Sequence, residues 1–280
     1  MITAEFDYQR VSSVADAVAA LQAGGEDAKL LAGGHSLVPL MKLRLAAPSR
    51  LIDISGVPGL AGIERDGAQW RIGALTPHAR LAASDVGLLN RVAATIADPQ
   101  VRNRGTIGGS LAHGDPASDL PAAVLALDGS VVAHGPDGER TIAASAFFSD
   151  YMETALAPDE MLCEVRVPAM DGYGFGYEKF HRRAEDWAVV AVAAAVKVLD
   201  GACVDVRVAL TNMASTPLRA GAVEAALRGQ PATAEAVAAA AQRAAEGTDP
   251  PADLDADADY KCHLARVLCE RALVAALAPA

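Results

Sequence analysis

Twice the chain runs a short apolar stretch into paired glycines, a serine and then a helix-like segment. The first instance is Leu30-Leu31-Ala32-Gly33-Gly34-His35-Ser36-Leu37; the second is Thr106-Ile107-Gly108-Gly109-Ser110-Leu111. Glycine has no Cβ, so paired glycines let the backbone turn sharply, adopt positive φ and approach a ligand closely. Successive N–H groups in such a turn make a concave anion site suited to a pyrophosphate. Ser36 and Ser110 add hydroxyl donors. A single Gly-Gly after a strand is more often a plain tight turn, but two such loops in one domain say more than either alone.

Other nucleotide signatures are missing. No G-x-x-x-x-G-K-[ST] run exists, so a P-loop is excluded. Gly172, Gly174 and Gly176 are spaced without the strand–turn–helix setting of a Rossmann fingerprint, and read as a linker. Any dinucleotide is therefore held by a different fold.

Composition narrows the class. The 280 residues suffice for two or three units. Hydrophobic residues are 52% but aromatics only 4%, so the core is built mainly from Ala, Val and Leu. A net charge of −11 argues against general nucleic-acid binding. The N-terminus lacks the basic and apolar regions of a secretory signal. The most apolar run, Ala188–Val196, is far short of the roughly 20 residues that span a bilayer. A cytoplasmic location follows. Cys163, Cys203, Cys262 and Cys269 form no C-x-x-C pair and read as buried thiols in a reducing compartment, with no metal site of their own.

Periodicity predicts an α+β chain. Helices are expected over Ser13–Gly24, Ala79–Ser84, Leu88–Ala97, Pro116–Leu127, Thr233–Glu246 and Tyr260–Leu277. Strands are expected over Lys29–Ala32, Arg50–Ile54, Gln69–Gly73, Met161–Val167, Gly174–His181, Val189–Leu199 and Ala202–Thr211. Gly105–Ser110 reads as a loop or tight strand, and a hairpin is expected around Gly135-Pro136-Asp137-Gly138. The Gly- and Tyr-rich stretch Met170–Gly176 marks a boundary. Asp119, in the first turn of its helix, either caps backbone donors or accepts from sugar hydroxyls. His78 reads as a cleft residue or as a satisfied surface histidine.

The segments AGGHSLVPLMKLRLA (Ala32–Ala46) and RNRGTIGGSLAHGDPASDLPA (Arg102–Ala122) resemble the flavin-binding medium subunit of molybdenum-containing hydroxylases. The nearest type is that of aerobic carbon monoxide dehydrogenase and its relatives acting on nicotine, quinolines or purines. YEKFHRRAEDWAVVAVAAAV (Tyr177–Val196) resembles the opening of that subunit's C-terminal domain, and the resemblance covers essentially the whole chain.

The resemblance implies a two-part FAD-binding domain of the vanillyl-alcohol-oxidase (PCMH) type over residues 1–170, with subdomains of roughly 1–55 and 56–170. A smaller α+β domain with a three-stranded antiparallel sheet and helices is implied over residues 174–280. Ala32, Gly33, Gly34, His35, Ser36 and Leu37 match the first FAD loop; Thr106, Ile107, Gly108, Gly109 and Ser110 match the second. Asp119 matches an acidic FAD contact, and Lys179 a basic residue near the flavin that would stabilise its reduced anion. Leu162 and Ile96 match apolar positions on the ring. No catalytic acid or base and no metal ligand is implied.

The implied partners are an iron–sulfur small subunit with [2Fe–2S] clusters and a large subunit with a molybdopterin cofactor, in a dimer of heterotrimers. Association with a membrane quinone pool at the inner face of the cell membrane belongs to the same expectation. The alternatives are a stand-alone FAD-dependent oxidoreductase and a non-redox nucleotide-binding protein.

Overall fold

In a computed structural model of the chain, which describes residues 2–278, three hydrophobic cores are formed. The first unit is a parallel sheet of Asp7–Arg10, Ala28–Leu31 and Arg50–Asp53, with Arg50–Asp53 in the centre. Helix Val14–Gly24 crosses it and buries Ala17, Val18 and Leu21. Its start is fixed by the Ser13 hydroxyl, which accepts from the Asp16 N–H at 3.0 Å. The Asp7–Arg10 strand carries four exposed residues, so no alternation announces it in the sequence.

The middle unit is a five-stranded antiparallel sheet. Its order is Ile63–Asp66, Gln69–Gly73, Met161–Pro168, Ser130–Gly135 and Gly138–Ala143. Helices Gly87–Ala94, Ile107–His113 and Asp119–Ala126 contribute buried residues to its core. The hairpin forms where the turn residues predict it, with Gly135 paired to Gly138. The second glycine loop differs from its sequence reading. It is helical from Ile107 onward, with the Thr106 hydroxyl accepting from Gly109 N–H at 3.1 Å. Paired glycines weaken helix propensity. Here they are needed for packing, because a Cβ on Gly108 would come within 2.5 Å of the Ala74 side chain.

The third unit is also larger by one strand than expected. Tyr173–Phe180, Val190–Leu199 and Ala202–Thr211 form the antiparallel sheet, and the two-residue strand Leu218–Arg219 adds a fourth at the edge. So short a segment leaves no periodic trace. Val190–Leu199 is buried on both faces over most of its length. Val192, Ala194 and Val196 join the core under helices Gly221–Leu227, Ala234–Ala241 and Ala258–Leu277. The alternate residues Ala193 and Ala195 join the core of the middle unit instead. The alanines lie on the face where the two units press together.

Gly174 and Gly176 are not linker. They lie inside Tyr173–Phe180, and a Cβ on either would stand 1.8 and 1.9 Å from the carbonyl oxygens of Ala276 and Ala272 on the long C-terminal helix. The glycines let that helix lie directly on the strand backbone. Among the described residues, no helix is long and apolar enough to cross a membrane.

Gly176→Ala should therefore force helix Ala258–Leu277 off its strand. We expect it to destabilise the protein by about 2–3 kcal/mol, an overpacking cost, measured as a lowered midpoint in chemical denaturation.

Candidate functional site

A cleft of about 420 Å³ opens where the three units meet. Ala32, Gly33, Gly34, His35, Ser36 and Leu37 line it from the first unit. Thr106, Gly108, Gly109, Ser110, Asp119, Leu162 and Ile96 line it from the middle unit, and Lys179 from the third. Ile107 is the exception among the sequence-predicted residues. Its side chain is fully buried in the middle core, as expected for the first residue of a helix packed on a sheet.

The two glycine loops touch. A Cβ on Gly33 would lie 2.2 Å from the Arg104 carbonyl oxygen and 2.9 Å from Gly105 Cα, so only glycine lets the loops close on each other. Their donors are in different states. In the second loop Ile107 N–H donates to Thr76 O at 3.1 Å, Gly108 N–H to Ala74 O at 2.9 Å and Ser110 N–H to Thr106 O at 3.0 Å. With Gly109 N–H held by Thr106, the four donors of Ile107–Ser110 are spent on the fold. In the first loop, Gly34 takes φ +77°. Among the described residues, no protein acceptor takes the N–H groups of Gly33, Gly34, His35, Ser36 or Leu37. A run of free backbone donors at a cleft wall makes an anion nest. The sequence treated both loops alike; the structure gives the nest to the first, while the second offers the Ser110 hydroxyl and a rigid wall.

Asp119 is not free. Its Oδ2 accepts from Lys179 Nζ at 2.8 Å and its Oδ1 from the Tyr177 hydroxyl at 2.5 Å. The paired side chains are only 5% and 3% exposed. Burial pushes the Asp119 carboxyl up from its ordinary value, while the Lys179 ammonium and the two hydrogen bonds pull it down. Burial, with the Asp119 carboxylate beside it, raises the Tyr177 hydroxyl far above its usual range. Tyr177 and Lys179 are two apart on one strand, so they reach across the domain boundary from the same face. The Lys179 charge is thus compensated by Asp119 and is not an isolated positive group facing the cleft.

The residues present fit a dinucleotide with an anionic middle. The nest is one sign. An orphaned polar atom is another: Ser118 Oγ is enclosed without a partner, and its residue lines the cleft. Comparison with known proteins decides which dinucleotide. Residues 4–170 match the family model for the FAD-binding domain in molybdopterin dehydrogenase. The chain belongs to that flavin-binding family. Residues 175–276 match the CO dehydrogenase flavoprotein C-terminal domain.

Members of the family resemble this chain end to end. The carbon monoxide dehydrogenase medium chain of Hydrogenophaga pseudoflava is 46% identical, with 99% of each chain covered. A structure of reconstituted CO dehydrogenase from Oligotropha carboxidovorans superimposes with a TM-score of 0.96 at 40% identity, over 100% of both chains. Quinoline 2-oxidoreductase from Pseudomonas putida 86 follows with a TM-score of 0.93 at 31% identity, covering 99% of this chain and 98% of that one.

Sequence reasoning missed two features of the flavin-family cleft and left a third open. Trp187 lines it at 51% exposure; the signal was an indole in a chain of few aromatics. His78, for which a cleft position was one of two readings, does line the cleft; the surface alternative fails, since it is 5% exposed and without a partner at Nδ1. Leu162 is followed by a register shift before Glu164. Such a bulge re-aims neighbouring side chains, and no residue type in Met161–Pro168 advertises it.

Replacing Lys179 by Met should leave a buried carboxylate unpaired. We expect Lys179→Met to cost about 3–5 kcal/mol in denaturant unfolding, and Asp119→Asn combined with it to recover part of that loss.

Proposed function

We propose that this chain is the FAD-holding medium subunit of an aerobic carbon monoxide dehydrogenase or a related heterocycle dehydrogenase. The substrate is oxidised on another subunit. The observation that carries the reading is the cleft at the junction of three units, with a five-donor nest on one glycine loop resting on the other. In this reading residues 1–170 are the FAD-binding domain, divided near residue 55, and residues 174–280 are the C-terminal domain. The full-length likeness to medium chains supports an iron–sulfur small subunit and a molybdenum large subunit as partners, arranged as a dimer of heterotrimers. The complex acts in the cytoplasm, with association at the inner face of the membrane, where a quinone pool is one of the acceptors open to it.

FAD, when bound, supplies the exchange of electrons one or two at a time between iron–sulfur clusters and an external acceptor. The chain's own residues bind and orient. The N–H groups of Gly33 to Leu37 hold the diphosphate, helped by the Ser36 and Ser110 hydroxyls. Ile96 and Leu162 supply apolar contact for the ring system and exclude water, and Trp187 offers a flat face at the rim. Asp119 keeps acceptor capacity on its carboxylate oxygens for a hydroxyl of the cofactor, while Tyr177 and Lys179 hold that carboxylate in place. No side chain here is assigned a proton-transfer step.

Two measurements test the reading. The complex purified from its native host should show flavin and iron–sulfur absorption, contain two further chains, and be bleached by carbon monoxide or a heterocycle. A single yellow chain without iron would favour a stand-alone FAD oxidoreductase, and a colourless chain unable to take up FAD would overturn the reading. In the second, Gly33→Ala pushes the two loops apart. It should weaken FAD binding by about tenfold or more, read by flavin fluorescence, with the C-terminal unit still folded.

A further inference from the structure

His78 is one of the buried side chains to which the fold gives no hydrogen-bond partner. It opens the short helix His78–Ala82, its N–H donates to Gly105 O at 2.9 Å, and its ring is 95% enclosed by the 5% exposure it retains. The ring edge carrying Cδ2 and Nε2 packs under the second glycine loop: a Cβ on Gly105 would meet them at 2.7 and 2.8 Å. Gly33 rests on the same Arg104–Gly105 backbone. Imidazole, second loop and first loop are therefore in contact one after the other, and the residue lines the same cleft as the nest. Nδ1 is sealed off without a partner, which leaves Nε2 as the nitrogen at the cleft wall.

The tautomer follows from cost. A buried N–H without an acceptor is worse than a buried lone pair on a ring nitrogen. The proton of the neutral ring therefore belongs on Nε2, where a ligand can accept it. The ring stays neutral, because burial pulls His78 down to about 4, and the charges of His35 and Arg102 push the same way. His35 follows the Ala28–Leu31 strand and Arg102 ends the Pro99–Arg102 helix; no carboxylate is among the groups that shift His78.

We propose that His78 is a binding residue for the cofactor diphosphate: its neutral Nε2–H extends the first-loop nest and donates to an anionic oxygen. This rests on FAD occupying the cleft. It gives the site a side-chain donor on the wall where the second loop's own N–H groups are spent. An uncharged donor suits the place, since a cation in this enclosed wall would face the Arg102 guanidinium, and no carboxylate is among the groups acting on it.

The test uses the apoprotein and two probes, FAD and ADP, with affinity measured by fluorescence and calorimetry. His78→Phe keeps an aromatic ring of similar width and removes the donor. It should weaken both probes about ten- to a hundredfold, the range for a hydrogen bond to a charged group. His78→Gln places an amide nitrogen near Nε2 and should recover most of the loss; His78→Asn, which mimics Nδ1, should not. In ¹⁵N imidazole spectra the wild-type ring should hold the Nε2–H form, with that proton shifting downfield when ADP binds. The His78-dependent part of the affinity should be flat between about pH 5 and 8.

Three results would overturn the proposal. They are wild-type affinity in His78→Phe, an imidazole signal that ignores ADP, or affinity that climbs on acidification only when His78 is present, which would mean an imidazolium. Failure of the wild-type protein to bind either probe would instead strike the FAD reading itself.

Discussion

An eight-residue helix with no exposed side underlies the whole arrangement. Every residue of Asp119–Ala126 is buried, and a helix that is apolar around nearly its full circumference survives in water only when packed on all sides. The middle unit covers part of it, and the sheet of the third unit covers the rest, with Ala193, Ala195 and Ala209 belonging to the same core. The small side chains on that sheet face let the helix come close. The third unit is held in place by a surface that the middle unit cannot leave bare. Asp119, the one charged residue of the helix, stands at its first turn, where a carboxylate complements the helix dipole, and it meets Lys179 from the opposite unit.

That placement changes the meaning of the charges around the cleft. A buried carboxylate and a buried ammonium taken singly are costly; paired and hydrogen-bonded, they are tolerated. The pair contributes little net field to the cleft, so attraction for an anionic ligand falls to oriented backbone donors. The first loop supplies them because its five N–H groups, up to the first residue of helix Leu37–Leu43, have no helical or ladder acceptor. The second loop, folded into a capped helix, supplies rigidity. Two stretches of nearly the same sequence thus divide binding and support between them.

Much of this was legible in the sequence. Strands such as Arg50–Asp53 and Gln69–Gly73 and the Ser13-capped helix follow from local patterning. The cleft residues followed from the glycine loops and from the resemblance they carry, and fourteen of the fifteen cofactor positions named there line the cleft, Ile107 being the one that turns inward. What could not be read is long-range. Nothing near Gly174 or Gly176 reveals that a helix about a hundred residues later needs their missing side chains, so a strand reads as a linker. Nothing in Asp119 or Lys179 reveals the other. The capped helix at Ile107 is hidden by glycines whose local propensity opposes it and whose packing against Ala74 requires it.

Each boundary between units passes through the cleft. The first and middle units meet where Gly33 lies on Arg104 and Gly105; the middle and third meet where Asp119 binds Tyr177 and Lys179. A ligand spanning the cleft contacts all three units and favours the arrangement in which both boundaries are closed. Whatever binds only that arrangement stabilises it in proportion to the logarithm of ligand concentration over its dissociation constant. Cofactor affinity and cohesion of the three units are therefore two readings of one free energy. A substitution that loosens either boundary, however far from the flavin ring, must weaken binding by the amount it shifts the closed arrangement.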